Sequence, residues 1–255
     1  MANPDLITIL FFVGACIGSF AGVLVYRLPR RLTILSGRSI CETCSVPIKA
    51  FDLVPIVSFL RLRGRCGACG ARIRPELLAI ELVSALLGAV SAWLYPSPWP
   101  ASAAALLGWG LLALAWIDAK YFFLPDVITV PLLLLGLAAT WQLEPADFTG
   151  HLIGALSGYL VIAGVNSLYK SVRHRDGIGH GDAKLMALAG AWVGWQPLPW
   201  IVLSGAILGI ASAITARFLR HQDLTPTTRL AFGACLAPAV FAAYLLKSSA
   251  LAIGL

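Results

Sequence analysis

The stretch ASAAALLGWGLLALAWID, residues 101–118, decides the fold: seventeen residues without a charged side chain are followed by an aspartate. An α-helix needs about 20 apolar residues to cross a hydrocarbon layer, and this run is close to that length. The composition agrees, because 59% of the 255 residues are hydrophobic and only 12% are charged, which excludes a soluble domain with a hydrated surface. We therefore predict an all-α polytopic membrane protein.

Similar apolar runs recur along nearly the whole chain, about eight in all, and prolines or charged residues mark most of the joins. Asp182 and Lys184 lie at the start of the sixth run, so a re-entrant loop is the alternative there. The predicted spans are 6–26, 77–95, 101–118, 125–142, 149–169, 182–196, 198–216 and 229–247.

The basic residues predict the orientation, because short loops rich in Lys and Arg stay in the cytoplasm. Segment 27–76 holds ten of the nineteen Lys and Arg residues, whereas 96–100, 143–148 and 197–199 hold none. We expect 27–76 to be cytoplasmic and both termini to be outside. Segment 6–26 could instead be the apolar core of a signal peptide, but its basic residues follow the run rather than precede it.

Segment 27–76 contains two CxxC pairs, formed by Cys41 and Cys44 and by Cys66 and Cys69. The 21 residues between the pairs are close to the spacing of structural zinc sites with four thiolates. A segment this short has too little core to fold without such a cross-link. We predict structural Zn²⁺, with a redox disulfide pair as the alternative.

These elements predict three regions. They are a first transmembrane helix (1–26), a cytoplasmic zinc-binding domain (27–76) and a membrane core of about seven helices (77–255).

Two aspartates lie at predicted cytoplasmic ends of spans, where carboxylates are costly and usually functional: Asp118 ends the third span and Asp182 begins the sixth. Gly177, Gly179 and Gly181 allow a close backbone approach before Asp182. Two adjacent carboxylates cannot both ionise easily, so one keeps a proton while the other can accept one from water, as in aspartic proteases. Alternatively, each aspartate caps a helix or pairs with a lysine.

Four stretches, in order, resemble the type IV prepilin peptidases, which are membrane aspartyl proteases of the GxGD type. They are GSFAGVLVYRLP (18–29), the cysteine segment from RSIC (38–41) to LRGRC (62–66), Asp118 before LPD (124–126), and GHGDAKLMALAGAW (179–192). The resemblance covers nearly the whole chain. Gly22 and Glu76-Leu77-Leu78 depart from the Asn and the Arg-Tyr-Pro usual in the family.

The resemblance implies a bacterial inner-membrane enzyme with two activities. It would cleave the basic leader from type IV prepilins or pseudopilins with Asp118 and Asp182, then methylate the new N-terminus using S-adenosylmethionine. No dinucleotide-type glycine fingerprint accompanies the second activity. The alternatives are a peptidase without methyltransferase activity, a membrane transporter, or a non-catalytic scaffold organised by the zinc segment.

The strongly basic segment 27–76 should rest on anionic lipid headgroups, and we expect no nucleic-acid partner. A basic leader would instead be attracted to carboxylates, and Glu42, Asp52 and Asp176 are the candidates for holding it. Glu81, inside the second span, is expected to pair with Lys184 or an arginine.

Overall fold

The computed structural model describes residues 3–34, 38–173, 179–220 and 230–253, and its regular structure there is helical. The helices are α1 (Pro4–Arg27), α2 (Val57–Arg61), α3 (Pro75–Leu94), α4 (Pro98–Tyr121), α5 (Asp126–Leu143), α6 (Phe148–Arg173), α7 (His180–Val193), α8 (Leu198–Arg220) and α9 (Phe232–Ile253). The prediction of an all-α polytopic membrane protein is confirmed.

Six helical segments of the described chain are long and apolar enough to cross a membrane. They contain α1, α3, α4, α5 and α6, and most of α8. The other two predicted spans correspond to α7, which has 14 residues, and to the shorter apolar segment Phe232–Lys247 of α9. At about 1.5 Å per residue, α7 is roughly 21 Å long, less than the thickness of a hydrocarbon core. The count of eight full spans is therefore not confirmed.

The chain divides into two compact units, Met1–Ala113 and Leu114–Leu255. In the first unit, α1 packs on α3 through small residues. A Cβ on Gly88 would lie only 2.1 Å from the carbonyl oxygen of Leu10, and one on Gly14 only 2.4 Å from that of Ser84. Backbones this close favour helix association in lipid, where the hydrophobic effect does not drive it.

In the second unit, α7 is enclosed by its neighbours: eleven of its fourteen residues are buried. Gly190 of α7 meets Gly154 of α6, where a Cβ would lie 2.1 Å from backbone atoms. The indole N–H of Trp192 donates to the Leu132 carbonyl of α5 at 2.8 Å, and the Trp192 ring packs edge-on against Tyr244 of α9. Thus α7 is the central helix of this unit.

Candidate active site

Asp118 lies in the last turn of α4, with its side chain turned toward the beginning of α9. Its Oδ2 accepts a hydrogen bond of 2.8 Å from the backbone N–H of Ala234, and the Gly233 backbone also interacts with this carboxylate. Only 6% of the residue is exposed. The first N–H groups of a helix have no partner within the helix, so a buried carboxylate satisfies them well.

Asp182 lies in the first turn of α7 and is 8% exposed. Its backbone N–H donates to the Gly179 carbonyl at 3.1 Å, which starts the helix. Gly179 occupies the N-cap position without a side-chain hydrogen bond, and its backbone interacts with the Asp182 carboxylate.

The structure brings the two aspartates into one neighbourhood. Leu124, in the turn after α4, would lie 3.0 Å from a Cβ on either Gly181 or Gly233, so its side chain touches the residue before Asp182 and a backbone partner of Asp118. The two carboxylates also interact electrostatically. Their catalytic role, which requires the two carboxylates to lie close together, stays a prediction.

The alternative roles for the aspartates are realised only in part. Lys184 pairs with Asp126 at 2.6 Å, which gives this lysine a different partner from the two buried aspartates. Asp118 does cap a helix, since it binds the N-terminus of α9 from another element of the bundle. Sequence reasoning missed this contact, because 116 residues separate the two groups and no motif marks the start of α9.

The four cysteines predicted to bind zinc lie together. Their Sγ atoms are all within 4.8 Å of one another, and Cys41 and Cys69 are 3.9 Å apart. Tetrahedral coordination with Zn–S bonds of about 2.3 Å places two sulfurs about 3.8 Å apart, so the cluster fits zinc.

Both CxxC turns have the same backbone pattern. Ser45 N–H donates to the Cys41 carbonyl and Gly70 N–H to the Cys66 carbonyl, each at 2.9 Å. Ser45 and Gly70 both have positive φ, 58° and 71°.

The thiols cannot all ionise easily without a cation. Backbone hydrogen bonds from Cys44 and Thr43 lower the pKa of the Cys41 thiol to about 6. The Ala71 backbone lowers the pKa of Cys69, but the neighbouring thiols, Cys44 first, and the desolvation of this thiol together raise that pKa to about 11. A bound metal ion would remove this conflict, because it would stabilise every thiolate at once.

The candidate leader-binding carboxylates already have partners in the described chain. Glu42 pairs with Arg74 and Asp52 with Arg61. Asp176 lies outside the described residues, as does Gly177. A basic leader would therefore compete with arginines of the protein for Glu42 and Asp52, and the role of these residues stays a prediction.

Glu81 does not pair with Lys184, whose partner is Asp126. Its Oε2 accepts a hydrogen bond of 2.7 Å from the backbone N–H of Ile56. Ile56 has φ 63°, a strained value for a β-branched residue. Glu81 thus holds an unusual turn of the cysteine segment beside α3, at the edge of a cavity of about 690 Å³ in the first unit.

A second polar cluster in the Leu114–Leu255 unit was not predicted. Lys247 Nζ lies 2.8 Å from Glu144, 3.2 Å from Asp147 and 2.6 Å from His151 Nε2. The other ring nitrogen of His151 lies 3.0 Å from the Ala191 carbonyl and so must be the donor, which leaves Nε2 to accept from the lysine. Two acids, a histidine and a lysine spaced up to 103 residues apart give no local signal in the sequence.

Two family models match the chain in succession. One, described as the bacterial Peptidase A24 N-terminal domain, matches residues 12–95, and the other, the type IV leader peptidase family, matches residues 105–214. The two matches fall largely on the two compact units, with the division at Ala113.

Curated relatives match over most of their length. A protein of Pseudomonas aeruginosa is 36% identical over 91% of this chain and 88% of its own. One of Aeromonas salmonicida is 34% identical over 93% and 90%, and one of Neisseria gonorrhoeae 30% over 86% and 85%. All three are named prepilin leader peptidase/N-methyltransferase. No solved structure matches the chain significantly. Matches of this extent and identity show that the chain belongs to the type IV leader peptidase family.

Proposed function

We propose that this chain is a membrane aspartic endopeptidase that removes the leader from type IV prepilins or pseudopilins and then methylates the new N-terminus. One observation carries the peptidase part: two buried aspartates, on α4 and α7, meet around Leu124 and interact electrostatically. The names of the relatives support both activities.

The aspartate pair supplies general acid–base catalysis. One carboxylate takes a proton from water as the water attacks the peptide carbonyl, and the other carboxyl donates a proton to the carbonyl oxygen. No covalent intermediate with the enzyme is needed. Burial of both groups strengthens the interaction of each with charge that develops in the transition state.

The test is cleavage of a prepilin-like substrate by the full-length protein in detergent. Asp118→Asn and Asp182→Asn should each abolish cleavage while zinc content and thermal unfolding stay as in the wild type. Asp126→Asn is the matched control, because this aspartate lies nearby but has an exposed side chain paired with Lys184. Cleavage near the wild-type rate by either of the first two variants would reject the mechanism.

For the second activity, we propose S-adenosylmethionine as the donor of the methyl group. The cavity in the first unit supports it: about 690 Å³ lies within the range of roughly 300–1,000 Å³ typical of small-molecule sites. Tyr26 and Phe59 give the cavity wall aromatic surface, and Arg38 and Glu81 give it opposite charges. An anion such as Glu81 suits a ligand that carries a sulfonium and an amine.

The cavity can be tested by measuring the binding of radiolabelled S-adenosylmethionine to the full-length protein by equilibrium dialysis. We expect Glu81→Gln to weaken binding at least tenfold, which is about 1.4 kcal/mol. Glu76→Gln is the control, since Glu76 also lies on α3 but does not itself line the cavity, which its partner Arg74 does. Unchanged binding to Glu81→Gln would exclude the cavity, and cleavage without detectable methyl transfer would favour a peptidase alone.

We also propose that residues 27–76 form a cytoplasmic zinc-binding domain, between a first transmembrane helix (1–26) and a membrane core (77–255) of the bacterial inner membrane. The zinc there would be structural, because four thiolates leave no open coordination position. The basic surface of this domain would face anionic lipid headgroups. The carboxylates that would hold the substrate leader are Glu42, Asp52 and Asp176.

A further inference from the structure

We propose that the N-terminus of α9 keeps Asp118 ionised, so that Asp118 is the general base of the aspartate pair and Asp182 the proton-bearing acid. This inference rests on the proposed peptidase function. It assigns distinct roles to two residues that the sequence motifs treat alike, and it makes Gly233 and Ala234 positioning residues of the reaction.

The hydrogen bonds to Asp118 favour its anionic form. Ala234 N–H donates to Oδ2 at 2.8 Å, and the Gly233 backbone contributes a second interaction. Both residues belong to the first turn of α9, which begins at Phe232. A carboxylate there gains charge-assisted hydrogen bonds and the favourable end of the helix dipole, whereas a neutral carboxyl gains much less.

Asp182 has fewer such partners within the described residues. Its carboxylate interacts with one backbone group, that of Gly179, and faces the negative charge of Asp118. It is also buried, and the other buried residues of α7 are all apolar. Cys235 is a further titratable group within electrostatic reach of Asp118, but it lies on α9 beyond the two donor residues.

The resulting reaction is balanced. Asp118 takes a proton from water while the water oxygen bonds to the peptide carbonyl carbon, and Asp182 gives its proton to the carbonyl oxygen. The tetrahedral diol then collapses: Asp118 gives its proton to the amide nitrogen as the C–N bond breaks, and Asp182 regains a proton from a diol hydroxyl. Both side chains end in their starting states.

The packing at Gly233 shows how closely α9 approaches Asp118. A Cβ at this position would lie 3.0 Å from Asp118 Oδ2 and 3.0 Å from Leu124 Cδ1. A side chain there would require the carboxylate or Leu124 to give way by a few tenths of an ångström. The contact, rather than the backbone dihedral angles, thus favours glycine.

The decisive measurement is ¹³C NMR of the full-length protein in detergent micelles, with the aspartate carboxyl carbons labelled. Asp118→Asn and Asp182→Asn assign the two resonances. At neutral pH we expect the Asp118 resonance at a carboxylate shift and the Asp182 resonance at a carboxylic acid shift. The reverse order, or the same state for both, overturns the assignment. Because the measurement needs no substrate, its outcome is independent of whether prepilins are cleaved.

Two variants test the role of α9. Ala234→Pro deletes the donating N–H at a first-turn position where helices tolerate proline, and should move the Asp118 resonance toward the acid position. Gly233→Ala should lower kcat at least tenfold with KM within about twofold, since a misplaced catalytic group can cost about 10²-fold. Gly164→Ala is the control, because a Cβ there meets open space. An unchanged Asp118 resonance in Ala234→Pro would overturn the role of α9.

Discussion

At the scale of single residues, main-chain N–H groups hold two of the acidic side chains: Ala234 N–H donates to Asp118, and Ile56 N–H donates to Glu81. Asp118 and Asp182 stand out because charge is rare in apolar runs. The backbone donors from Gly233 and Ala234, by contrast, carry no side-chain chemistry that a sequence pattern could reveal. The partner of Glu81 was missed for the same reason, since it is the main-chain N–H of Ile56.

Gly181 offers a test of the contact that joins the two aspartates. A Cβ on Gly181 would lie 3.0 Å from both Cβ and Cδ1 of Leu124, so Gly181→Ala should move Asp182 relative to Asp118. We expect the cleavage rate to fall on the order of 10- to 100-fold with little change in thermal stability. Initial rates at saturating substrate measure this effect, and a loss of less than twofold would show that Leu124 does not set the spacing.

At the scale of elements, the apolar runs predict where the helices lie in the chain. They do not predict how long each helix is or what surrounds it. The predicted span 182–196 became α7, which ends at Val193 before Gly194, whose φ is +81°. Hydropathy could not show that α7 is enclosed by other helices rather than by lipid. The paired CxxC spacing did predict the convergence of the four thiols, because each short turn fixes two sulfurs.

The cysteine segment should depend on its metal. Cys66→Ser should lower zinc from one ion per chain and expose residues 38–74 to trypsin, because structural zinc supplies on the order of 10 kcal/mol to small domains. Metal analysis and limited proteolysis provide the readout. Cys16→Ser, which changes an exposed thiol of α1, should keep zinc. Full zinc occupancy in Cys66→Ser would contradict a site of four thiolates.

The Lys247 cluster should stabilise the Leu114–Leu255 unit. Lys247→Met leaves Glu144 and Asp147 without their ammonium partner and His151 Nε2 without its donor, which should cost about 2 kcal/mol. Thermal unfolding followed by tryptophan fluorescence measures the loss. Lys247→Arg should recover part of it, and a melting temperature equal to that of the wild type in Lys247→Met would show that the cluster contributes nothing.

At the scale of the whole molecule, composition predicted a multi-pass membrane protein, and six apolar helices confirm it. The distribution of Lys and Arg gave an orientation that the structure does not test. The division at Ala113 lies inside α4, where no change of composition marks it. Contacts between distant helices create this division, and a one-dimensional pattern does not contain them.

The orientation can be measured in intact bacterial cells. Ser97→Cys, between α3 and α4, should react with a membrane-impermeant maleimide from outside, because the segment 96–100 is predicted to face the periplasm. Ser58→Cys, in the basic cysteine segment, should gain label over the wild-type chain only after lysis. The opposite pattern would place the cysteine segment outside and invert the proposed topology.

The burial of α7 also bears on how the protein is assembled. This helix has only 14 residues, and its first turn contains His180 and Asp182. It is therefore too short, and too polar at one end, to enter lipid by itself. Its close packing on α6 supplies what hydropathy does not, so it can take its place only once neighbouring helices are in the bilayer. Newly inserted chains would thus pass through a stage that already has Asp118 but lacks Asp182 in position, and proteolytic activity would arise only when the bundle closes.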